Sequence, residues 1–363
     1  MDSFPNPNNS TVSALSATGT LLEETPLERL RDSHDRIITD LRISVTDRCN
    51  YRCVYCRTGS EDIHYAELPI AEYARMLRLF VSLGIEKIRF TGGEPLLRKG
   101  LLDLIEEAAA MRSEFSSDGK IDLALTTNGH LLAALAPKLR QAGLQRVTVS
   151  MDAVEPEIFA RITRVPGSFE RMRDGIRAAQ DADLGPVKVN CVLMRGFNDS
   201  QIEAFAEFSR TEGVIVRFIE FMPLEESSSE SRTWTPESVV TMDEIVARLN
   251  AVRPLVELPP NHISETARRF TFDDGVGEIG IIAPVSRPFC GHCSRVRVTS
   301  DGKIRTCLFS QSDHDLAGMM ARGTGDDALR TYIRRIIQRK EARHHIGESG
   351  FLKPSRSMVH IGG

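Results

Sequence analysis

The chain has 363 residues, 41% hydrophobic and 26% charged, and carries a formal net charge of −4. That is the composition of an ordinary soluble globular protein, long enough for one large domain and a smaller companion. It offers no global basic field for nucleic acid or an anionic membrane, no apolar run of bilayer length and no signal peptide. Seven cysteines without an export signal place the chain in a reducing, cytoplasmic compartment.

Residues 1–24 are rich in Ser, Thr, Asn and Pro, lack any period and read as disordered. Folded sequence is expected from about Asp35, with residues 1–34 as a loose N-terminal segment. A strand over Leu41–Thr46 comes first and runs into a cysteine-rich loop. A helix over Ile70–Leu83 follows, its apolar residues at helical spacing. Then strands alternate with helices: strands at Lys87–Thr91, Ile121–Thr126, Arg146–Met151, Val187–Met194 and Val214–Met222, helices between them. Six strands in this alternation predict a parallel sheet with right-handed crossovers and an active site at the C-terminal strand ends. Their Val and Ile content predicts strands covered on both faces. Six units are too few for a closed eightfold barrel. A Ser/Glu-rich linker, Glu225–Ser231, ends the alternation. The rest reads as a helix near Asp243–Leu249, a mainly β stretch from Phe270 to Phe309 with an Asp301-Gly302 hairpin, and a helix near Asp327–Glu341.

Cys49, Cys53 and Cys56 form C-x3-C-x2-C at the end of the first strand. Three thiolates on one loop can hold three corners of a cubane iron–sulfur cluster and leave one iron open. Zinc normally takes four ligands, and no fourth is near. A disulfide framework fits neither the length nor the compartment. This spacing, with Tyr55 before the last Cys, resembles the radical S-adenosylmethionine enzymes. The resemblance implies that S-adenosylmethionine chelates the open iron and is cleaved to a 5′-deoxyadenosyl radical.

A second set, Cys290, Cys293 and Cys307, forms C-x2-C-x13-C. Spacing alone leaves zinc and iron–sulfur even here, since His292 or His314 is a candidate fourth ligand. Cys191, in the fifth strand, reads as a small buried residue. Arg295 and Arg297 share one face of a short strand, and guanidinium groups suit phosphate. Arg42, Arg89 and Lys188 lie in the strand series and join them only if their side chains converge.

Two three-cysteine sets flanking a six-strand βα series resemble the GTP 3′,8-cyclases, the molybdenum cofactor biosynthesis protein A family. The likeness covers about residues 35 to 363 and rests on several motifs. These are the segment from Leu41 to Asn50, the segment from Arg89 to Arg98 with Gly92-Gly93-Glu94, Thr126-Thr127-Asn128-Gly129, Ser150-Met151-Asp152, the second cysteine set and Ile361-Gly362-Gly363. The resemblance implies an α/β six-unit partial (βα)6 barrel over 35–224. It also implies a smaller α+β C-terminal extension over 225–363 that carries the second cluster. Two [4Fe-4S] clusters and S-adenosylmethionine would be the cofactors. Tyr55, Gly93, Ser150 and Met222 would surround S-adenosylmethionine. Arg42, Arg89, Thr126, Lys188, Arg295 and Arg297 would bind GTP, and Gly362 and Gly363 would enter the pocket as a tail. The implied reaction takes hydrogen from ribose C3′ of GTP and closes that carbon on guanine C8. An electron donor, a downstream cyclic pyranopterin monophosphate synthase and a monomer or homodimer complete the expectation. A peptide-modifying radical maturase with an auxiliary cluster is the alternative. One departure is Arg57-Thr58, where the family has Met-Pro.

Overall fold

The computed structural model describes residues 28–56, 65–224, 234–354 and 356–362. The Arg57-Thr58 departure, the Ser/Glu-rich linker and Gly363 lie outside the described residues. The βα series appears as expected: β1 (Asp40–Ser44), α1 (Ile70–Ser82), β2 (Lys87–Thr91), α2 (Leu101–Ala110), β3 (Asp122–Thr127) and α3 (Leu132–Gln141). It continues with β4 (Arg146–Ser150), α4 (Pro156–Thr163), α5 (Ser168–Asp181), β5 (Lys188–Leu193), α6 (Ile202–Glu212) and β6 (Ile215–Glu220). Beyond the linker come α7 (Met242–Val252), β7 (Leu255–Leu258), β8 (Arg268–Phe272) and β9 (Glu278–Ile282). The chain then forms β10 (Arg295–Val298), β11 (Lys303–Arg305), β12 (His314–Asp315), α8 (Leu316–Ala321), α9 (Asp326–Ile337) and α10 (Met358–Ile361).

All twelve described strands form one sheet, in the order β12-β11-β10-β1-β2-β3-β4-β5-β6-β9-β8-β7. β10 pairs parallel to β1, and β9 pairs parallel to β6. The C-terminal region therefore continues the sheet from both edges. Consecutive strands β9 and β10 stand at opposite ends of the parallel run. The connection between them, residues 283–294, spans the gap in the barrel and carries Cys290 and Cys293.

Burial follows the two-residue period of the strands. Leu41 and Ile43, Ile88 and Phe90, Val147 and Val149, Val216 and Phe218 are buried. They join helix residues such as Phe80 and Leu104 in one hydrophobic core. The alternate residues Arg42, Arg89, Thr126, Ser150, Asn190 and Arg217 line a common cavity instead. The expectation of strands covered on both faces is thus corrected. One face packs on helices and the other encloses a polar interior. Near the N-terminal strand ends, Asp122 pairs with Lys87 at 3.5 Å and with Arg146.

Order also begins earlier than Asp35. Leu30 is fully buried, and its carbonyl accepts from Ile38 N. Asp32 accepts from Arg36 Nε at 2.6 Å, and Arg36 donates onward to the carbonyls of Cys290 and Glu341 at 2.8 and 2.7 Å. The contacts to Cys290 and Glu341 come from residues hundreds of positions away, so local composition carries no trace of them. β7 and α8 were also missed. β7 is a half-exposed edge strand, and α8 is too short to show a period.

Candidate active site

The first cysteine loop is held from below and from the side. Gly93 N donates to Thr46 O and Glu94 N to Arg48 O, both at 2.7 Å. A Cβ on Gly93 would stand 2.3 Å from Arg48 O, so only glycine lets the two segments close. Arg52 N and Val54 N donate to Thr163 O and Ile162 O at the end of α4, both at 3.0 Å. Tyr51 N reaches Cys49 Sγ at 3.4 Å and Asn128 Nδ2 reaches it at 3.9 Å, placing N–H groups on sulfur. Burial raises the Cys53 thiol well above its ordinary range, and Asp152 and the neighbouring thiols add to this.

Two carboxyls near the loop have different tasks. Asp152 lines the cavity, accepts from Tyr55 Oη at 2.7 Å and from Val192 N at 2.8 Å, and is raised to about 6 by burial. It fixes the orientation of the Tyr55 ring. Glu94 is fully buried and does not reach the cavity wall. It accepts from Leu96 N at 3.0 Å, Thr127 Oγ1 at 2.8 Å and Asn128 N at 2.7 Å. Burial pushes its carboxyl up to about 7. Glu94 ties the turn after β2 to the end of β3.

One cavity collects both cysteine sets. Cys49, Cys53 and Cys56 lie on its wall with Cys290, Cys293 and Cys307. The same wall carries Arg42, Arg89, Arg217, Arg295, Arg297 and Lys340, with Asp152 as its one acidic residue among the described residues. The cations depress one another. Burial lowers Arg297 to about 10, with Arg295 adding to it, and lowers Arg217 to about 9, with Arg89 adding. Arg42 is lowered by burial and then by Arg297 and Arg295, and its buried Nε has no hydrogen-bond partner. Buried like charges of this kind suit an anionic ligand.

The two arginines of β10 share a face as expected, and each is engaged. Arg295 Nε reaches Cys293 Sγ at 3.4 Å. Burial raises the Cys293 thiol, but Arg295 and Lys340 outweigh it and bring the thiol down to about 6. Arg297 Nη1 donates to Gly362 O in the C-terminal tail. The tail is clamped by Arg356, which donates to both carboxylate oxygens of Asp301 at 2.9 Å and pairs with Asp313 at 2.5 Å. The Arg356 guanidinium also lies 4.0 Å from the centroid of the Tyr65 ring. Gly362 sits at φ 79, where a Cβ would come within 2.5 Å of Thr91 Oγ1. Val359, His360 and Ile361 are buried beside it.

Most expected site residues meet here. Tyr55, Gly93, Ser150, Met222, Arg42, Arg89, Thr126, Arg295 and Arg297 all line the cavity. Lys188 does not. It begins β5 on the same face as the cavity-lining Asn190 and Val192 but just short of the lining, where burial and then Arg217 lower its ammonium to about 8. Of the histidines considered with the second set, neither His292 nor His314 reaches the cavity, whereas His344 does. Sequence reasoning missed Arg217, Asn190 and Lys340. Arg217 donates to Asn190 Oδ1 at 2.9 Å and Thr148 Oγ1 at 3.2 Å. Its signal was available, since Arg217 alternates with buried Val216 and Phe218 just as Arg42 alternates with Leu41 and Ile43. Cys191 is fully buried, with its Sγ 3.7 Å from Asp152 O.

The donor sets fit iron–sulfur clusters by their chemistry. Each presents three sulfurs to one cavity, and the first receives N–H groups while the second receives a guanidinium. Among the described residues no three His, Cys, Asp or Glu side chains close on a single-ion site. A cubane is a larger body, held at three corners. No helix of the described residues is long and apolar enough to cross a membrane.

Comparison with known proteins agrees with this arrangement. Residues 43–209 match the radical SAM superfamily and residues 214–346 match the family "Molybdenum Cofactor Synthesis C". GTP 3′,8-cyclase of Xanthomonas axonopodis pv. citri is 43% identical over 311 residues, spanning 84% of this chain and 90% of that protein. The GTP 3′,8-cyclase of Moorella thermoacetica is 39% identical over 341 residues, spanning 92% of this chain and 100% of that protein. Among solved structures, Streptococcus suis SuiB bound to S-adenosylmethionine superimposes with a TM-score of 0.61 at 12% identity, over 87% of this chain and 71% of that one. That likeness speaks for the fold alone. With two cysteine sets facing one cationic cavity in a radical SAM barrel, and with relatives matched nearly end to end, this chain belongs to the GTP 3′,8-cyclase family of the radical SAM superfamily.

Proposed function

We propose that this chain converts GTP to (8S)-3′,8-cyclo-7,8-dihydro-GTP, the first step of molybdenum cofactor biosynthesis. The observation that carries the reading is the cavity in which two three-cysteine sets flank five arginines and a lysine against one aspartate. A triphosphate supplies the anion this wall lacks. A peptide substrate of no special charge would leave the cations opposed to one another.

Cys49, Cys53 and Cys56 hold the first cluster, and Cys290, Cys293 and Cys307 hold a second. When bound, the first cluster and S-adenosylmethionine supply a 5′-deoxyadenosyl radical, which takes hydrogen from ribose C3′ so that this carbon can close on guanine C8. The chain's own residues bind, orient and shield. Tyr55, fixed by Asp152, Gly93, Ser150 and Met222 surround S-adenosylmethionine. Arg42, Arg89, Arg217, Arg295 and Arg297 neutralise the triphosphate, with Thr126 as a neutral hydrogen-bond partner. Lys188 acts on that charge from the N-terminal end of β5. Charge-assisted, bidentate contacts of this kind fix a phosphate in place as well as neutralise it. The tail through Gly362, with Gly363 after it, closes the side beside Arg297 and keeps water from the reacting carbon. A second cluster held by Cys290, Cys293 and Cys307 would offer an open iron to the guanine base. An electron donor and a downstream cyclic pyranopterin monophosphate synthase complete the sequence.

The test is anaerobic reconstitution followed by incubation with dithionite, S-adenosylmethionine and GTP, with 5′-deoxyadenosine and cyclised GTP quantified by mass spectrometry. Both products appear together and both vanish in Cys53→Ala. Deoxyadenosine without cyclised GTP would refute the substrate assignment.

A further inference from the structure

We infer that Lys340 is the fixed counter-charge of the second cysteine set and holds up the reduction potential of the cluster bound there. The inference rests on the second-cluster reading. Lys340 follows α9 and is 3% exposed. Its Nζ donates to Arg295 O at 3.0 Å and to Thr306 O. Thr306 precedes Cys307, and Arg295 stands two residues after Cys293. One ammonium thus joins the two chain segments that carry these cysteines, on the wall of the cavity they line.

The electrostatics give the contact its meaning. Among the described residues both hydrogen-bond partners of Lys340 are carbonyls, and it takes part in no ion pair. The nearby carboxylate of Glu341 accepts from Thr306 Oγ1 at 2.8 Å instead. An ammonium buried without an anion costs several kcal/mol in general, and such groups persist where a compensating negative charge is built in. Arg295, whose Nε touches Cys293 Sγ, adds to the positive charge on this set, and the remaining cations of the wall have a triphosphate to meet. Lys340 lies on the wall beside the second set, bound to the backbone of Arg295 and Thr306 next to Cys293 and Cys307, where the negative charge is that of three thiolates and the cluster they hold. Reduction adds one electron and therefore one negative charge to the cluster. A fixed positive charge beside it favours the reduced form, as hydrogen bonds, net charge and exposure around a cluster generally tune its potential.

The test is Lys340→Gln, which removes the charge and keeps a donor for the carbonyls, studied in the reconstituted full-length protein. Iron is counted per chain, and each cluster is titrated with dithionite under EPR. The second cluster is the signal that survives in Cys53→Ala. Wild type binds about eight irons, four per cluster. In Lys340→Gln the second cluster has a reduced-to-oxidised ratio at least tenfold lower at a fixed potential, about 59 mV for one electron, with the first cluster unmoved. An unmoved second potential with all irons present overturns the assignment of Lys340 and leaves the second cluster standing. If Lys340→Gln loses irons, Lys340→Arg decides. Regained iron with the wild-type potential supports the counter-charge, and continued loss shows a role in shape alone and overturns it. About four irons in the wild type, none of them surviving in Cys53→Ala, would overturn the second-cluster reading and the inference with it.

Discussion

Arg217→Gln is the sharpest probe of the cationic wall, because Arg217 lies outside the motifs that identify the family. Its guanidinium is buried, donates to Asn190 and Thr148, and is held down to about 9 by burial and by Arg89. In the free protein its charge is therefore opposed by its surroundings, and Lys188 and Arg89 gain when it leaves. Lower stability is not expected; the unliganded thermal midpoint stays level or rises. With triphosphate present the sign reverses. At about 5 Å and an effective dielectric of about 20, one guanidinium–phosphate pair is worth about 3 kcal/mol. Mutational values for hydrogen bonds to charged groups run at about 1.5–3 kcal/mol. At about 1.4 kcal/mol per tenfold, KM for GTP rises about ten- to hundredfold. The assay is 5′-deoxyadenosine and cyclised-product formation across GTP concentrations, with KM for S-adenosylmethionine as internal control. A GTP KM within threefold of wild type, or an equal rise for S-adenosylmethionine, refutes the reasoning.

Three further outcomes follow from the same geometry. Lys188 is lowered to about 8, so it is half neutral near that pH in the free protein, and bound triphosphate draws the proton back; KM for GTP therefore climbs from pH 7 to 9, Lys188→Arg flattens the climb, and a flat wild-type profile contradicts the account. Glu94 is raised from 4.5 to about 7, so its protonated form stabilises the fold below 4.5 and that contribution, about 3 kcal/mol, fades as pH rises through 7; thermal midpoints measured from pH 5 to 8 show the decline, and Glu94→Gln removes it while losing roughly 1–3 kcal/mol because its amide NH2 meets a backbone N–H. Arg356→Ala strips the cation from Asp301 and Asp313 at a site where Arg356 is 5% exposed, a loss of about 3 kcal/mol or more; the thermal midpoint drops and carboxypeptidase trims the tail faster, and unchanged trimming argues against the clamp.

Much of the site was legible in the order of residues because its strongest signals are local. Three thiols within eight residues need no tertiary knowledge to suggest a cluster, and Arg295-x-Arg297 shares a face through strand geometry alone. The βα alternation was legible because each element is long enough to show its period. What failed shared another property. Glu94 has the residue type of a ligand, but three donors from two segments turn its carboxylate inward. Lys188 has the charge of a phosphate ligand and shares the face of Asn190, but it stands at the N-terminal end of β5, outside the cavity lining. Arg36 and Leu30 belong to a stretch of unremarkable composition, and they are fixed by distant carbonyls: Arg36 by those of Cys290 and Glu341, Leu30 by that of Leu83.

The sequence by itself determined the fold class, the two cysteine sets and the family, since hydrophobic period and ligand spacing are properties of neighbours along the chain. Only the tertiary structure decided that β9 and β10 attach to opposite edges of the sheet, so that residues 283–294 cross the opening and bring Cys290 and Cys293 to face Cys49, Cys53 and Cys56. It also decided which cations line the cavity and which stand outside its lining. Convergence depends on the curvature of the whole sheet and on where buried charges can find an opposite charge, and neither is written in any single stretch of residues.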